Sequence, residues 1–524
     1  MSAHAAIGGT LSAPLSEVAW NGHALQLLFD APLVRGGEIA LDIDGCFFGA
    51  AHAASDARVR FDFPFSPSGR AAMRVMPRLG RDGPNLAGAW MDLTFGAQGL
   101  APASDTAPAP LRLLAAAQLL PYGSDCARRE VVIVVPVYDA VKHVGRCLEA
   151  LVAHTRGRAR LLLIDDASPD PAIAPLLERH ARLPGVTALC NARNLGFTAT
   201  ANRGIAAADR ADVILLNADT EVGPNWLTGL RRAAYARDDI GSATAVSDNA
   251  GAFSVPELEQ TNALPASWSL VQTARALWQH AGQAYPELPT GNGFCLYLKR
   301  AMLDAVGSFD QVAFPRGYGE ENDLCQRASM LGWHHVIAGN VFVGHARSQS
   351  FGDRERDTLG RAGMAALRER YPDYETQIEA ALFSFERRVL DWRVRRLFSD
   401  ARSDNAPLPR LLWFGDAPPR LADWSVWHLC QEGDALLLKA PDSTITYTTV
   451  ARGRATTRLR EALWNWLQIR AFDQIGIGAD DSFGLGSLAN ALELPVMRPG
   501  SDTVATKACA DSWARSRTFA GTSA

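Results

Sequence analysis

Four polar clusters stand directly behind apolar runs in this 524-residue chain. Pro136-Val137-Tyr138 ends one run. Asp165-Asp166-Ala167-Ser168-Pro169-Asp170 follows a second. Asn191-Ala192-Arg193-Asn194-Leu195-Gly196-Phe197 follows a third and leads on to Asn202. Asn217-Ala218-Asp219-Thr220-Glu221 closes a fourth. Carboxylates behind buried strands are costly to desolvate unless a cation or hydrogen-bond donors meet them. A divalent metal and a nucleotide supply both. Taken singly, each Asp or Asn can be read as the cap of the following helix. Taken together, the set favours a binding site.

A second group lies further on. Glu320, Glu321 and Asp323 form an acid cluster just after the flexible turn Gly317-Tyr318-Gly319, and Leu324, Arg327, Met330 and Leu331 fit a helix beyond it. Acids at a helix start suit the dipole, which is the structural explanation. The functional one is that crowding raises one carboxylate's pKa and makes it a general base. Val341-Phe342-Val343-Gly344-His345 then places a histidine at a strand end, as a metal-ligand candidate, before the polar loop Ser348-Gln349-Ser350-Phe351-Gly352.

The elements that must position these residues are legible as patterns. Glu130 to Tyr138 is a continuous β-branched run, as in a strand buried on both faces. A helix follows with Val141, Val144, Leu148 and Leu151 on one face. Strands at 160–168, 186–190 and 212–219 alternate with helices around Leu176 and over 198–208. Such alternation gives a parallel α/β sheet, whose ligands bind beyond the carboxyl ends of the strands.

In this order and spacing the motifs PVY, DDASPD, NxGFxxxxN, the NADT strand end, GSFD and GYGEENDLCQR resemble the family 2 glycosyltransferases, which have the GT-A fold. Nearest in flavour are bacterial enzymes that extend surface polysaccharides such as O-antigen, rhamnosyltransferases among them. The resemblance spans residues 130 to about 352. It implies an inverting, metal-dependent hexosyl- or deoxyhexosyltransferase. The donor would be a UDP-, dTDP- or GDP-sugar, and the acceptor a glycan or lipid-linked glycan.

Carried over by position, the resemblance makes Pro136 and Tyr138 a pocket wall and Asp166 the acceptor for a pyrimidine imide. Arg193, Asn194 and Gly196 would lie along the nucleotide and diphosphate. Asp219 matches the metal-binding Asp of the family's DxD motif, and His345 a His that often completes the Mn²⁺ or Mg²⁺ site. The chain departs at Asn217, where the family has its first acid, so Asn217 joins the donor-binding set. Glu321 matches the catalytic base, with Glu320 and Asp323 beside it; a Glu there is one methylene longer than the common Asp.

Outside this block the chain is plainer. Residues 1–100 alternate with period two, as at Ile39-Leu41-Ile43, Val59-Phe61-Phe63-Phe65 and Met91-Leu93-Phe95, and read as a β-sandwich-like accessory domain. Residues 101–128 read as a linker and 129–355 as the GT-A domain. Residues 356–402 read as a charged helical extension and SDNAPLP (403–409) as a second linker. Residues 410–505 read as a small α/β domain resembling half of a GT-B transferase. Its Gly484-Leu485-Gly486-Ser487-Leu488-Ala489 string lacks the downstream acid of a dinucleotide site. Residues 245–290 carry no readable code.

A length of 524 at about 150 residues per domain suggests three domains. Apolar types make up 48% of the chain and charged types 21%, as in globular proteins. Net charge is −4, so no global basic field draws the chain to nucleic acid or an anionic membrane. None of the 8 cysteines forms a CxxC pair, which suits a reducing cytoplasm. No apolar run reaches the roughly 18 residues that span a bilayer. Location at the inner face of the plasma membrane would therefore be peripheral. Two rivals remain: a non-catalytic glycan-binding scaffold on a degenerate transferase fold, and a nucleotidyltransferase. The latter needs a Gly-rich phosphate loop that PVYDAVKHVG does not supply.

Overall fold

The computed structural model describes most residues between 129 and 498, together with the strands between 15 and 102 as backbone. At the N-terminus are eight strands: β1 (Leu15–Trp20), β2 (Ala24–Asp30), β3 (Glu38–Ile43), β4 (Cys46–His52), β5 (Arg58–Pro64), β6 (Ala72–Leu79), β7 (Met91–Gly96) and β8 (Gly99–Pro102). They pair antiparallel in two sheets, β1-β2-β5 and β4-β3-β6-β7-β8. The alternating runs read from the sequence coincide with β3, β5 and β7. Ala101 and Pro102, expected to open the linker, instead close β8 against Leu93 and Thr94. The rest of that linker lies outside the described residues.

The central sheet is built from β9 (Val131–Val137), β10 (Ala159–Asp165), β11 (Val186–Cys190), β12 (Asp212–Leu216), β13 (Thr220–Val222), β14 (Ile240–Val246), β15 (Cys295–Leu298) and β16 (His334–His345). Their order is β11-β10-β9-β12-β15-β14-β16-β13. β9 to β12 are mutually parallel, β15 runs antiparallel between β12 and β14, and β14 and β16 are parallel again. The helices α1 (Val141–His154), α2 (Ile173–Ala181), α3 (Phe197–Ala207) and α4 (Trp226–Ala234) link these strands. α1 shows why they form: Val144, Cys147, Leu148 and Leu151 recur at helical spacing and are all buried. β9 needs no alternation, because Val131, Ile133, Val135 and Val137 pack on one side and Val132 and Val134 on the other. Each such side chain contributes about 1.5–3 kcal/mol on burial.

The segment 245–290 is more ordered than its composition suggests. It holds α5 (Leu270–His280), opened by a capping box in which Ser269 Oγ accepts from Gln272 N and Gln272 Oε1 accepts from Ser269 N. That Ser-x-x-Gln spacing was the available signal. After β15 come α6 (Arg300–Val306) and α7 (Glu320–Ser329), then β16 and the helical extension α8 (Asp353–Arg370), α9 (Tyr374–Leu382) and α10 (Phe385–Ser399).

The extension is not a separate body. Leu367 and Tyr374 bury Phe314 beside α7, and Leu390 of α10 lies against Gly339 of β16, where a Cβ would come within 2.7 Å. SDNAPLP is likewise pinned: Trp268 Nε1 donates to the carbonyl of Arg402 just before it at 2.9 Å, and Gln279 Nε2 to Leu408 O within it at 2.8 Å.

The last unit holds β17 (Arg410–Phe414), β18 (Ser425–Glu432), β19 (Ala435–Lys439), β20 (Thr444–Thr448), β21 (Gln474–Ile477) and β22 (Val496–Met497), in the order β20-β19-β18-β17-β21-β22. At its Gly-rich string the Asp481 carboxylate accepts from Leu485 N and Gly486 N, at 2.6 and 2.8 Å. A carboxylate thus occupies the place a phosphate would need. The helix expected around 463–469 lies largely outside the described residues.

Candidate active site

The carboxyl ends of the central strands open on a cleft of about 400 Å³. Its walls include Pro136, Tyr138, Asp166, Asn194, Gly196, Asn217, Asp219, Glu320, Glu321 and His345. Ten of the twelve candidates therefore meet in one place. Arg193 is exposed and does not line the cleft. Asp323 is fully buried beneath it, paired with Arg327 at 2.8 Å and Arg370 at 2.7 Å, and accepting from Tyr371 Oη at 3.0 Å. Two guanidiniums and a phenol hold it as an anchor for α7. Exposed to no substrate, it sits outside the reacting group to which it was assigned.

Asp166 also does more than expected. Its Oδ1 accepts from Asn191 Nδ2 at 2.7 Å and Leu195 N at 2.8 Å, and its Oδ2 from Gly196 N at 2.9 Å. A carboxylate has about four acceptor positions, so only one is left to face a ligand. Gly196 has φ of 86°, and a Cβ there would lie 2.6 Å from Pro315 O. The turn held by Asp166 therefore presses directly on the loop before α7. Asn202, the last residue of NxGFxxxxN, exchanges two bonds with the Phe309 backbone, at 2.9 and 3.0 Å. The motif's two ends thus both serve to fix the segment 309–316.

Asp219 and His345 are brought together by strand pairing. Thr220 Oγ1 donates to Asn217 O at 2.7 Å and closes the turn after β12. β13 then pairs antiparallel with β16, Thr220 opposite His345. His345 Nε2 ends 3.3 Å from Asp219 Oδ1, with the two side chains 10% and 15% exposed. His345 Nδ1 faces Asn249 O at 2.8 Å, and its ring stacks on Phe294. A carbonyl only accepts, which assigns the proton to Nδ1. The lone pair of Nε2 then points at a carboxylate, and two acceptors this close require a shared proton or a cation.

A histidine donating its far N–H to a backbone carbonyl is the usual support of a metal ligand. Asp219 and His345 thus fit a divalent cation. Among the described residues no third His, Cys, Asp or Glu joins them. Water and a phosphate-bearing ligand would complete the coordination.

Across the cleft the acids are arranged differently. Gly317, Tyr318 and Gly319 all have positive φ, and a Cβ on Gly319 would lie 2.5 Å from the Phe314 ring. This turn delivers Glu320 inward and Glu321 to the cleft wall. Burial, then the charge of Glu321, pushes the Glu320 carboxyl well above the ordinary glutamate range. Its Oε2 accepts from Gly319 N at 3.1 Å. Glu321 Oε1 has a long contact of 3.4 Å from Gly293 N, its Oε2 meets no N–H donor, and the side chain hydrogen-bonds to the Glu320 carboxyl. Crowding thus raises the buried partner, and the poorly satisfied oxygen belongs to Glu321.

Sequence reasoning missed Asn249, Gly251, Asn292 and Arg316, which also line the cleft. Asn292 lies in the polar string Thr290-Gly291-Asn292-Gly293, which has no strand or helix period, and Arg316 carried no pattern.

Residues 132–300 match the family described as Glycosyl transferase family 2. These residues are therefore a match to glycosyl transferase family 2 within a central sheet of the expected α/β fold. The match includes Asp166, Gly196 and Asp219 and stops short of Glu321 and His345.

Among curated proteins, an uncharacterized glycosyltransferase of Escherichia coli K12, YibD, is 29% identical over 116 residues, 22% of this chain and 33% of its own length. An uncharacterized protein of Sinorhizobium fredii, y4gI, is 24% identical over 243 residues, 43% of this chain and 25% of its own. The alignments span a third or less of the curated relatives. Among solved structures, the mannosyltransferase PcManGT from Pyrobaculum calidifontis, in complex with GDP-Man and Mn²⁺, shares 16% identity and a TM-score of 0.35 over 52% of this chain and 76% of that one. No helix among the described residues is long and apolar enough to cross a membrane.

Proposed function

We propose that this chain is an inverting glycosyltransferase that moves a hexosyl or deoxyhexosyl group from a nucleoside-diphosphate donor to a hydroxyl of a growing glycan. The observation that carries this is the convergence in one cleft of an under-satisfied carboxylate, Glu321, with the Asp219 and His345 pair. The family match to residues 132–300 supports it. The resemblance of the motifs to surface-polysaccharide enzymes extends the reading to a glycan or lipid-linked glycan acceptor of the O-antigen type. The place of action would be the cytoplasm or the inner face of the plasma membrane.

In this reading Pro136 and Tyr138 wall the nucleoside, and Asp166 offers its remaining acceptor position to the base. Arg316 lines the cleft, and its guanidinium would suit a diphosphate. Glu321 takes the proton of the acceptor hydroxyl. That oxygen bonds to the anomeric carbon as the bond to the diphosphate breaks, in a single displacement. Asp219 and His345 would hold Mn²⁺ or Mg²⁺, which when bound offsets charge on the departing diphosphate.

The test is to incubate purified protein with UDP-, dTDP- and GDP-sugars and Mn²⁺ and follow nucleoside diphosphate release. Release with one donor, lost in Glu321→Gln while donor binding stays near wild type, supports the reading. Near wild-type turnover in Glu321→Gln overturns it. Glycan binding without release from any donor would favour the scaffold.

A further inference from the structure

We propose that Arg387, on α10 and outside the cleft, is a positioning residue for His345. The inference rests on the proposed function only in its final, metal-binding consequence.

Arg387 is fully buried. Burying a guanidinium is costly unless its donors are met. Here Nε donates to Asp391 Oδ2 at 3.1 Å. One terminal nitrogen donates to Ala252 O at 2.8 Å and the other to Ser254 O at 2.6 Å. Both carbonyls belong to a single loop. Its near end carries Asp248, whose Oδ1 accepts from His345 N at 3.0 Å, and Asn249, whose carbonyl accepts from His345 Nδ1 at 2.8 Å. Asn249, Ala250 and Gly251 themselves line the cleft.

The loop therefore has one face on the histidine and the other on the arginine. A planar fork can span two carbonyls two residues apart; an ammonium is a point charge with no such geometry. One turn along α10, Leu390 packs on Gly339 of β16, the strand that ends in His345. The helix thus fixes the imidazole from both the loop and the strand.

The same helix supplies its own control. Arg393 is also buried, but it donates to Ala281 O at 2.7 Å, at the end of α5 and away from the loop. A residue that merely holds the fold together should behave like Arg393. A positioning residue should alter the histidine's proton.

The experiment is ¹⁵N NMR of histidine side chains in the metal-free full chain, with the His345 signal assigned by its loss in His345→Gln. Wild type should show a slowly exchanging Nδ1–H. In Arg387→Lys that proton should exchange at least about tenfold faster, and Mn²⁺ affinity, measured by EPR, should fall about tenfold, as for outer partners of metal ligands. Asp391→Asn, a milder change, should move both readouts the same way by less. Arg393→Lys should lower the melting temperature and leave both unmoved.

The proposal is overturned if Arg387→Lys and Asp391→Asn leave the His345 proton as in wild type, or if Arg393→Lys shifts it equally. If wild type binds no Mn²⁺, the metal assignment fails, while the proton-exchange comparison still decides the role of Arg387.

Discussion

On one side of the cleft, Asp166 receives three hydrogen bonds and is itself a structural tie for the Asn194–Gly196 turn. On the opposite side, Glu320 and Glu321 are crowded together at the start of α7, where burial, the Glu321 charge and a hydrogen bond between the two side chains raise the Glu320 carboxyl, and Glu321 Oε2 meets no N–H donor. Both regions place carboxylates behind buried apolar strands or loops. Only the first satisfies them. A carboxylate that backbone N–H groups hold is fixed in place, while one without such donors keeps an acceptor position for whatever enters. The sides communicate mechanically, since Gly196 abuts Pro315 in the loop that leads to the acids.

Mutations at the two regions should therefore fail in opposite ways. Glu321→Gln should cost about 10²- to 10⁴-fold in turnover with little change in melting temperature or donor affinity; a large loss of stability there would erase the contrast. Asp166→Ala should do the reverse. It strands Asn191 Nδ2, Leu195 N and Gly196 N, and unfolding in urea should show about 3 kcal/mol lost. A stable Asp166→Ala protein would mean the turn holds itself.

His345→Ala tests the pair with Asp219, which belongs to neither region. Mn²⁺ affinity should fall by about 100-fold, read by EPR, with the fold unchanged by circular dichroism. The smallest effect is on pH. Folding raises the Glu320 carboxyl above its ordinary value of 4.5. The folded state thus binds more protons than the unfolded chain above that value, and stability falls as pH rises through this window. Glu320→Gln removes the slope. Its melting temperature should exceed that of wild type near about pH 8, with the gap closing toward about pH 4. Parallel pH curves would show that Glu320 carries no strain.

Polar residues at strand ends were legible because they break a pattern: an acid behind β-branched residues is conspicuous. Asp166, Asp219 and His345 stood out in that way, Glu321 by its place after a glycine turn, and all four line the cleft. Asp323 was misread because spacing shows that three acids are near one another and not which one faces inward. Its partners Arg370 and Tyr371 lie on α8 and its loop, more than forty residues on. Asn249 was missed for a related reason. It contributes a backbone carbonyl to His345, and a carbonyl has no residue type to read. The strand pairs that close the sheet around β15 were equally hidden, since an antiparallel insertion looks like any other apolar run.

The extension also redraws the boundary of the working unit. Gly363 of α8 sits so close to Tyr318 that a Cβ would fall 1.7 Å from its carbonyl oxygen, and Arg370, Tyr371 and Tyr374 all reach residues of α7. The recognisable motifs end at His345. A fragment trimmed there would retain every motif of the resemblance and expose Asp323 and Phe314, so it should be recovered as an aggregate. For expression, domain swapping or library design, the smallest transferable piece of this protein extends through α10, well beyond its last recognisable motif.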